Sequence, residues 1–383
     1  MKKLEHKVPN LRFKGFTDYW EQHKLGEIIT YYNGKSHEEQ FRNAETQNFE
    51  LVTLKSIDGN GNLCSSEKYI DSTNNTLSKN DLIMVLSEQN TGLVGMTTLI
   101  PRDNYYVLNQ RVALLKLHKN NSPFFLTDAI NQHQIFFERM SAGTKVQNIS
   151  KSNVENFNLY IPNYSEQKEV GHIIALCQNI ITLQQRKLDL LKQFKKGLLQ
   201  KMFADKDSKQ PVLRFKGFHD DWEQHKLKTV VSVNSGKDYK SLEKGNIPVY
   251  GTGGYITSVS KSLSNQDAIG LGRKGTINKP YILKAPFWTV DTLFYLTLKP
   301  ENILTFIYSL IQKINWLKYD ESTGLPSLSK KNIENVLVYL TKLDEQQKIG
   351  KLIVKLDKLI TLQQQKLAKY QSIKKSLLQQ MFI

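Results

Sequence analysis

Apolar residues recur in alternating steps of three and four along two stretches of the chain, Glu166–Phe203 and Glu345–Phe382. In the first they are Val170, Ile174, Cys177, Ile181, Leu188, Leu191, Leu198 and Met202. In the second Ile349, Ile353, Leu356, Ile360, Leu367, Tyr370, Leu377 and Met381 occupy the same positions, and the two stretches align without a gap. A seam repeating every seven residues for about five heptads predicts a coiled coil. Neither stretch contains proline. At 1.5 Å per residue each helix would run about 57 Å. Polar residues interrupt both seams at matched points, Gln184 with Gln363 and Lys195 with Lys374. Such breaks cost stability but restrict register and partner, so the two helices are expected to pack on each other.

Elsewhere the pattern changes period. LVTLKSI, DLIMVLS, LVGMTTLI and NYYVLNQRVALLKL are short β-type runs separated by Asn, Gly, Ser and Asp turns, and Pro123–Met140 has helical spacing. The order repeats as IPVYG, GYITSVS, DAIGLG, PYILKA and FWTVDTLFYLTLK, followed by the helical ENILTFIYSLIQKINWL. Flanking these cores are near-copies. Leu11–Leu25 recurs as Leu213–Leu227 with 13 of 15 positions identical, and ISKSNVENFNLYIP from Ile149 matches LSKKNIENVLVYLT from Leu328. The chain therefore reads as a tandem duplication with copied frames and divergent middles. Matches such as Gly92 with Gly275 and Asn109 with Asp291 can be proposed across the drifted cores.

Composition sharpens this picture. A chain of 383 residues suffices for separate cores. No apolar run is long enough for a membrane span, and MKKLEHKVPN lacks the apolar core of an export signal, so a cytoplasmic location is expected. Cys64 and Cys177 share no metal-ligand spacing. The net charge of +17 is uneven: +1 over residues 1–165, +4 over 166–203, +8 over 206–342 and +6 over 345–382. Such a balance points toward a polyanion, most often nucleic acid.

Motifs for catalysis fail on context. GLGRKG at 270–275 fits GxGxxG, with Asp291 downstream, but that motif must open a helix and here TINKPY follows. NKPY at 278–281 is like the methyltransferase motif that clamps a flipped amino base, yet lacks its first proline and a preceding glycine-rich cofactor loop. The histidines are scattered, and His23 and His225 belong to the copied segments. No catalytic constellation emerges by spacing, and none for a metal.

The LRFKGF…W…KL openings, the S[KL]…N[VI]EN segments before each EQ, the paired long helices, and VYGTGGYI, IGLGRKGTI and FWTVDTLFYL together resemble the specificity subunits of type I restriction–modification systems, over essentially the full length. The resemblance implies an α+β chain with pseudo-two-fold organisation. Two β-rich recognition domains, residues 1–165 and 204–343, would be joined by spacer helices, 166–203 and 344–383, forming an intramolecular antiparallel coiled coil. It implies a non-catalytic DNA-binding subunit that reads a split, asymmetric site in double-stranded DNA. Two modification (methyltransferase) subunits would dock on it, and restriction subunits would join through them. S-adenosylmethionine, ATP and Mg would then sit on those partners, with no cofactor, metal or membrane on this chain. A free-standing DNA-binding regulator is the alternative; a stand-alone methyltransferase or nuclease is disfavoured by the missing motifs.

Candidate DNA contacts follow from residue type and loop position, because arginine suits guanine, and Asn or Gln adenine. In the first half they are Lys35, Ser36, Gln89, Asn90, Thr91, Gln110, Arg111, Lys145 and Gln147. In the second they are Lys237, Tyr239, Lys240, Tyr255, Lys261, Arg273, Lys274 and Asn278.

Overall fold

The computed structural model describes residues 8–88, 92–143, 146–205 and 208–383. It divides into two units, one formed by residues 1–183 with 367–383 and the other by Gln184–Lys366. Each is described on its own.

In unit 1, strand β1 (Glu21–Lys24) runs directly into the short helix α1 (Leu25–Ile28) and strand β2 (Ile29–Asn33). After α2 (Glu38–Arg42) come β3 (Phe49–Val52), β4 (Tyr69–Ile70), β5 (Leu82–Val85), β6 (Ser87–Glu88), β7 (Thr97–Leu99), β8 (Tyr106–Leu108) and β9 (Val112–Leu117). One sheet has the order β2-β9-β5-β7, and a second has β4-β3-β8, in which β3 and β8 are parallel. The helical run expected over Pro123–Met140 is broken into α3 (Pro123–Asn131) and α4 (Gln134–Met140). The cause lies in Asn131, whose side chain accepts from the Thr97 amide at 2.8 Å and donates to the Thr97 carbonyl at 2.9 Å. That pins the end of α3 to the sheet. Strand β10 (Gln147–Asn148), helix α5 (Lys151–Glu155) and β11 (Asn158–Ile161) follow, and then the long helix α6 (Tyr164–Lys201) begins.

Unit 2 repeats the plan with β12 (Glu223–Lys226), α7 (Leu227–Val230), β13 (Val231–Ser235), β14 (Lys244–Gly251), β15 (Gly254–Val259), β16 (Ala268–Gly272), β17 (Tyr281–Leu283), β18 (Trp288–Thr289) and β19 (Leu293–Leu298). Its sheets are β13-β19-β16-β17 and β15-β14-β18, the same topology with β14 parallel to β18. Helix α8 (Leu304–Lys313), a 3-10 turn (Trp316–Tyr319), α9 (Lys330–Asn335), β20 (Leu337–Leu340) and the long α10 (Leu343–Met381) complete it. Ladder register pairs Leu51 with Val107, and Val249 with Trp288, at equivalent places. Most of the extra length of the first half therefore lies between β3 and β8. The same ladders correct one match: Asn109 corresponds to Val290, not Asp291. Gly34 and Gly236 lie against those two carbonyls, so close that a Cβ at either glycine would come within 2.0 Å of the oxygen.

The copied segments form the same joint in both units. Arg12 donates from Nε and Nη2 to the Glu166 carboxylate at 2.6 Å each, and Arg214 does the same to Glu345 at 2.8 and 2.9 Å. Both carboxylates are fully buried. Gln167 Oε1 accepts from the Ser122 amide at 2.9 Å, and Gln346 Oε1 from the Ile303 amide at 3.1 Å, so each long helix ties down the entry to α3 or α8. Gly171 and Gly350 let the helices touch. A Cβ at Gly171 would lie 2.7 Å from the Phe125 amide, and one at Gly350 would lie 2.6 Å from that of Phe306. The strands EQHK of both units pair antiparallel with the strand that precedes each long helix, β1 with β11 and β12 with β20.

Each joint is closed by the end of a long helix. In unit 1, Trp20, Phe125 and Phe382 form an aromatic triad with centroids 5.1–6.4 Å apart. In unit 2, Trp222, Phe306 and Phe203 form its equivalent at 5.3–6.0 Å. Unit 1 thus holds the start of α6 and the end of α10, and unit 2 the reverse. Within unit 2 the helices run antiparallel, since Gln363 Nε2 donates to Gln184 Oε1 at 2.6 Å while Lys195, further along α6, is ion-paired with Asp357, earlier in α10. In unit 1, Lys374 Nζ donates to Gln178 Oε1 at 2.9 Å, and Val170 and Met381 share one core.

Candidate nucleic-acid interface

Strand ends place the reader candidates. In unit 1 the turn between β8 and β9 carries Gln110 and Arg111, both exposed. Lys35, just past β2, forms a parallel bridge with Asn109, and with Ser36 it is exposed on the same edge. The Arg111 guanidinium is held from one side: Nη1 donates to Asn148 Oδ1 at 3.2 Å and to Ser87 Oγ at 3.3 Å. Asn148 and Ser87 are opposed across β10 and β6. Lys35, Ser36, Gln110 and Arg111 therefore share one rim. Gln147 sits on that rim too, but its amide is engaged locally, donating to the Gly143 carbonyl at 2.7 Å and accepting from Ser141 Oγ at 3.3 Å. Gln89, Asn90, Thr91 and Lys145 lie outside the described residues. Beside them, the buried Glu88 carboxylate accepts from the backbone amides of Gly92, Leu93 and Val94.

The corresponding rim in unit 2 is built from different side chains. Lys237 follows Gly236 as Lys35 follows Gly34, and its amide donates to the Thr289 carbonyl at 2.8 Å. Arg273 binds through its amide to the Thr292 carbonyl at 2.8 Å, through Nη1 to the Asp291 carbonyl at 3.4 Å, and stands over the Phe294 ring at 5.7 Å. Lys274 bridges Ser327, the counterpart of Asn148, and is exposed. Lys237, Arg273 and Lys274 thus gather around residues 289–293. Lys240 is exposed nearby in sequence.

The others separate. Tyr239 packs in a small core with Val249, Val259 and Trp288, a structural setting. Tyr255 is 63% exposed at the start of β15 while Lys261 lies beyond its end, about 20 Å along an extended strand. Asn278, three residues after Gly275, lines a groove beside α6.

The GxGxxG glycines are explained by packing. Gly270 and Gly272 lie inside the buried strand β16, and a Cβ at Gly272 would come within 2.1 Å of the Thr276 carbonyl. Gly275 adopts φ +83 in the turn that follows, so the motif makes a strand end and not a helix start. The nearby Tyr281 hydroxyl donates to the Gly251 carbonyl at 2.5 Å, and burial raises its pKa. Among the described residues no group of three or more His, Cys, Asp or Glu is placed to hold a metal ion. No helix among them is long and apolar enough to cross a membrane.

Missed by sequence reasoning are Ser87 and Asn148, which fix Arg111, and Lys192 and Lys196 of α6, which line a groove with residues 278–280 and the end of α8. Only spatial pairing reveals the first. The second could have been suspected from the +4 charge of residues 166–203. The helices also leave apolar side chains exposed outside the seam: Leu176, Leu183, Leu190 and Phe194 on α6, and Leu359, Leu362 and Ile373 on α10.

A family model described as "Type I restriction modification DNA specificity domain" matches residues 17–193 and 219–371. A curated relative, the type I restriction enzyme MjaVIII specificity subunit of Methanocaldococcus jannaschii, is 24% identical over 237 residues. That alignment covers 58% of this chain and 52% of the relative, so the chain spans about half the length of the curated relative it matches. Among solved structures, the S subunit of a type I restriction-modification system from M. genitalium superposes with a TM-score of 0.76 at 19% identity, covering 98% of this chain and 99% of that one. A chain from a study of complex assembly and conformational transition of the type I R-M system gives 0.51 at 14% identity, covering 94% and 96%. Both share the fold.

Proposed function

The chain belongs to the type I restriction modification DNA specificity domain family, and from that membership we propose that it selects the DNA sequence on which a type I restriction–modification complex acts. Each unit reads one half of a split, asymmetric site in double-stranded DNA. One observation carries this reading: two units share a frame down to single hydrogen bonds, while their rims present Lys35, Gln110 and Arg111 in one and Lys237, Arg273 and Lys274 in the other. Like frames with unlike readers suit a non-palindromic site.

In this proposal the chain is non-catalytic and works in the cytoplasm. Two modification subunits dock along the helices, whose exposed Leu183 and Leu362 occupy matched positions. Restriction subunits join through them, and S-adenosylmethionine, ATP and Mg belong to those partners. The helix pair sets the spacing between half-sites. Inserting one heptad after Gln184 and one after Gln363 preserves the seam and adds about 10.5 Å, roughly three base pairs. Methylome sequencing of cells carrying that variant should show both half-sites unchanged and the spacer lengthened. An unchanged spacer would refute the spacing role. Co-purification of the wild-type chain with a methyltransferase at two to one separates this reading from a free-standing regulator.

A further inference from the structure

Beside α6, unit 2 contains a groove of about 500 Å³ lined by Lys192, Lys195, Lys196, Lys279, Lys313 and Asn278 among others, with no acidic residue in its lining. Lys195 is committed to Asp357. Lys313 is half-buried, donates to the carbonyls of Phe203 and Ala204 at 3.2 and 3.0 Å, and has its pKa lowered by burial. Lys192, Lys196 and Lys279 are exposed and make no ion pair or hydrogen bond among the described residues. Three unpaired ammonium groups thus surround a cavity whose walls offer them no counter-charge.

The groove exists because unit 2 departs from unit 1 at a few positions. Strand register makes Lys279 and Pro280 the counterparts of Met96 and Thr97, and helix packing makes Gln312 and Lys313 those of Asn131 and Gln132. In unit 1 the Thr97 amide and carbonyl are both taken by Asn131, and Met96 is buried against the sheet. Pro280 has no amide hydrogen to give, and Gln312 Oε1 is left buried without a partner. The contact that closes this place in unit 1 is absent, and lysines stand around the opening.

We propose that this groove holds phosphates of the DNA backbone next to the half-site read by unit 2, an inference that rests on the DNA-reading function above. Lys192 and Lys196 are one helical turn apart, about 6 Å along α6, which spans roughly two phosphates of a strand at 3.4 Å of axial rise each. Asn278 and Lys279 lie on the same connection as Arg273 and Lys274, so a strand lying against that rim is led toward the groove. Phosphate contacts fix register without reading sequence. The grip is therefore lopsided, in keeping with the +8 charge of residues 206–342 against +1 for 1–165.

The test compares full-length wild type with K192A/K196A/K279A and with K192R/K196R/K279R, each assembled with its modification subunits. Fluorescence anisotropy is read on a duplex carrying the methylated motif and on a scrambled duplex from about 50 to 200 mM salt. Three lost phosphate contacts make the slope of log K against log salt shallower by about 2.7, so the same salt step weakens wild type about 40-fold more than the alanine variant. The loss should be equal on both duplexes and largely restored in the arginine variant. An unchanged slope overturns the proposal, as does a loss confined to the cognate duplex. Failure of the alanine variant to assemble, with DNA binding by the isolated chain intact, also overturns it and assigns the groove to an acidic protein surface. Wild type binding neither duplex would refute the DNA-reading function itself.

Discussion

Two glycines of the long helices, both in unit 2, should respond oppositely to the same substitution. Gly350 lies where α10 crosses the start of α8. An alanine Cβ there would stand 2.3 Å from Thr305 Oγ1, 2.6 Å from the Phe306 amide and 2.8 Å from the Thr305 carbonyl carbon. Two of those atoms are backbone, so the helices must part. Overpacking of this kind costs about 1–3 kcal/mol. Separation also strains the Gln346–Ile303 bond one turn away, worth about 1 kcal/mol. Against this, replacing glycine by alanine in a helix gains about 1 kcal/mol. Gly350→Ala should therefore destabilise unit 2 by roughly 1–3 kcal/mol. Gly197 is also within a helix but has nothing within 4 Å of its would-be Cβ, so Gly197→Ala keeps only the gain and should stabilise by up to about 1 kcal/mol. Urea denaturation followed by far-ultraviolet circular dichroism measures both. The reasoning is refuted if the two midpoints move in the same direction.

Glu345→Gln should cost about 3–5 kcal/mol in the same assay, because Arg214 would keep a largely buried charge without its bidentate partner. Replacing Gln184 and Gln363 together by leucine should raise the thermal midpoint while loosening register, seen as additional oligomeric species by light scattering. Asp128 gives a pH effect: burial pushes its pKa up to about 6, with Lys374 pulling the other way. The folded state then binds the extra proton, so unit 1 should be most stable below pH 4 in respect of this group and lose up to about 3 kcal/mol as pH rises to 6. Asp128→Asn should flatten that part of the stability–pH curve, and an unchanged curve would dismiss the effect.

The long helices and the duplication were legible because both are periodic: a seam of seven, and copied text at two offsets. Strands such as β5, β9, β16 and β19 were legible as short apolar runs separated by turn residues. The pairing of β1 with β11 was not, since EQHK carries no apolar alternation and is held in place by Trp20 and Leu25 at its ends. The break between α3 and α4 has no glycine or proline to announce it, as the cause is a side chain, Asn131, reaching a strand elsewhere. Residue type picked out Arg111, Arg273 and Lys274 as candidates, and the fold sets them at strand ends. Residue type could not tell that Tyr239 is spent on packing, that Gln147 is spent on its own loop, or that Asn148 braces Arg111. Those roles depend on neighbours distant in sequence, which residue type does not encode.

The aromatic triad of unit 1 has a consequence for the order of synthesis. Trp20 and Phe125 emerge early, but the ring that completes their cluster, Phe382, is made only after all of Gln184–Lys366. At ordinary rates of about 5–20 residues per second that interval is roughly 10–40 s. Throughout it the nascent first unit carries an unfilled apolar socket. Unit 2, whose Phe203 precedes Trp222 and Phe306, needs no such wait, so the half that is made first is the last to close.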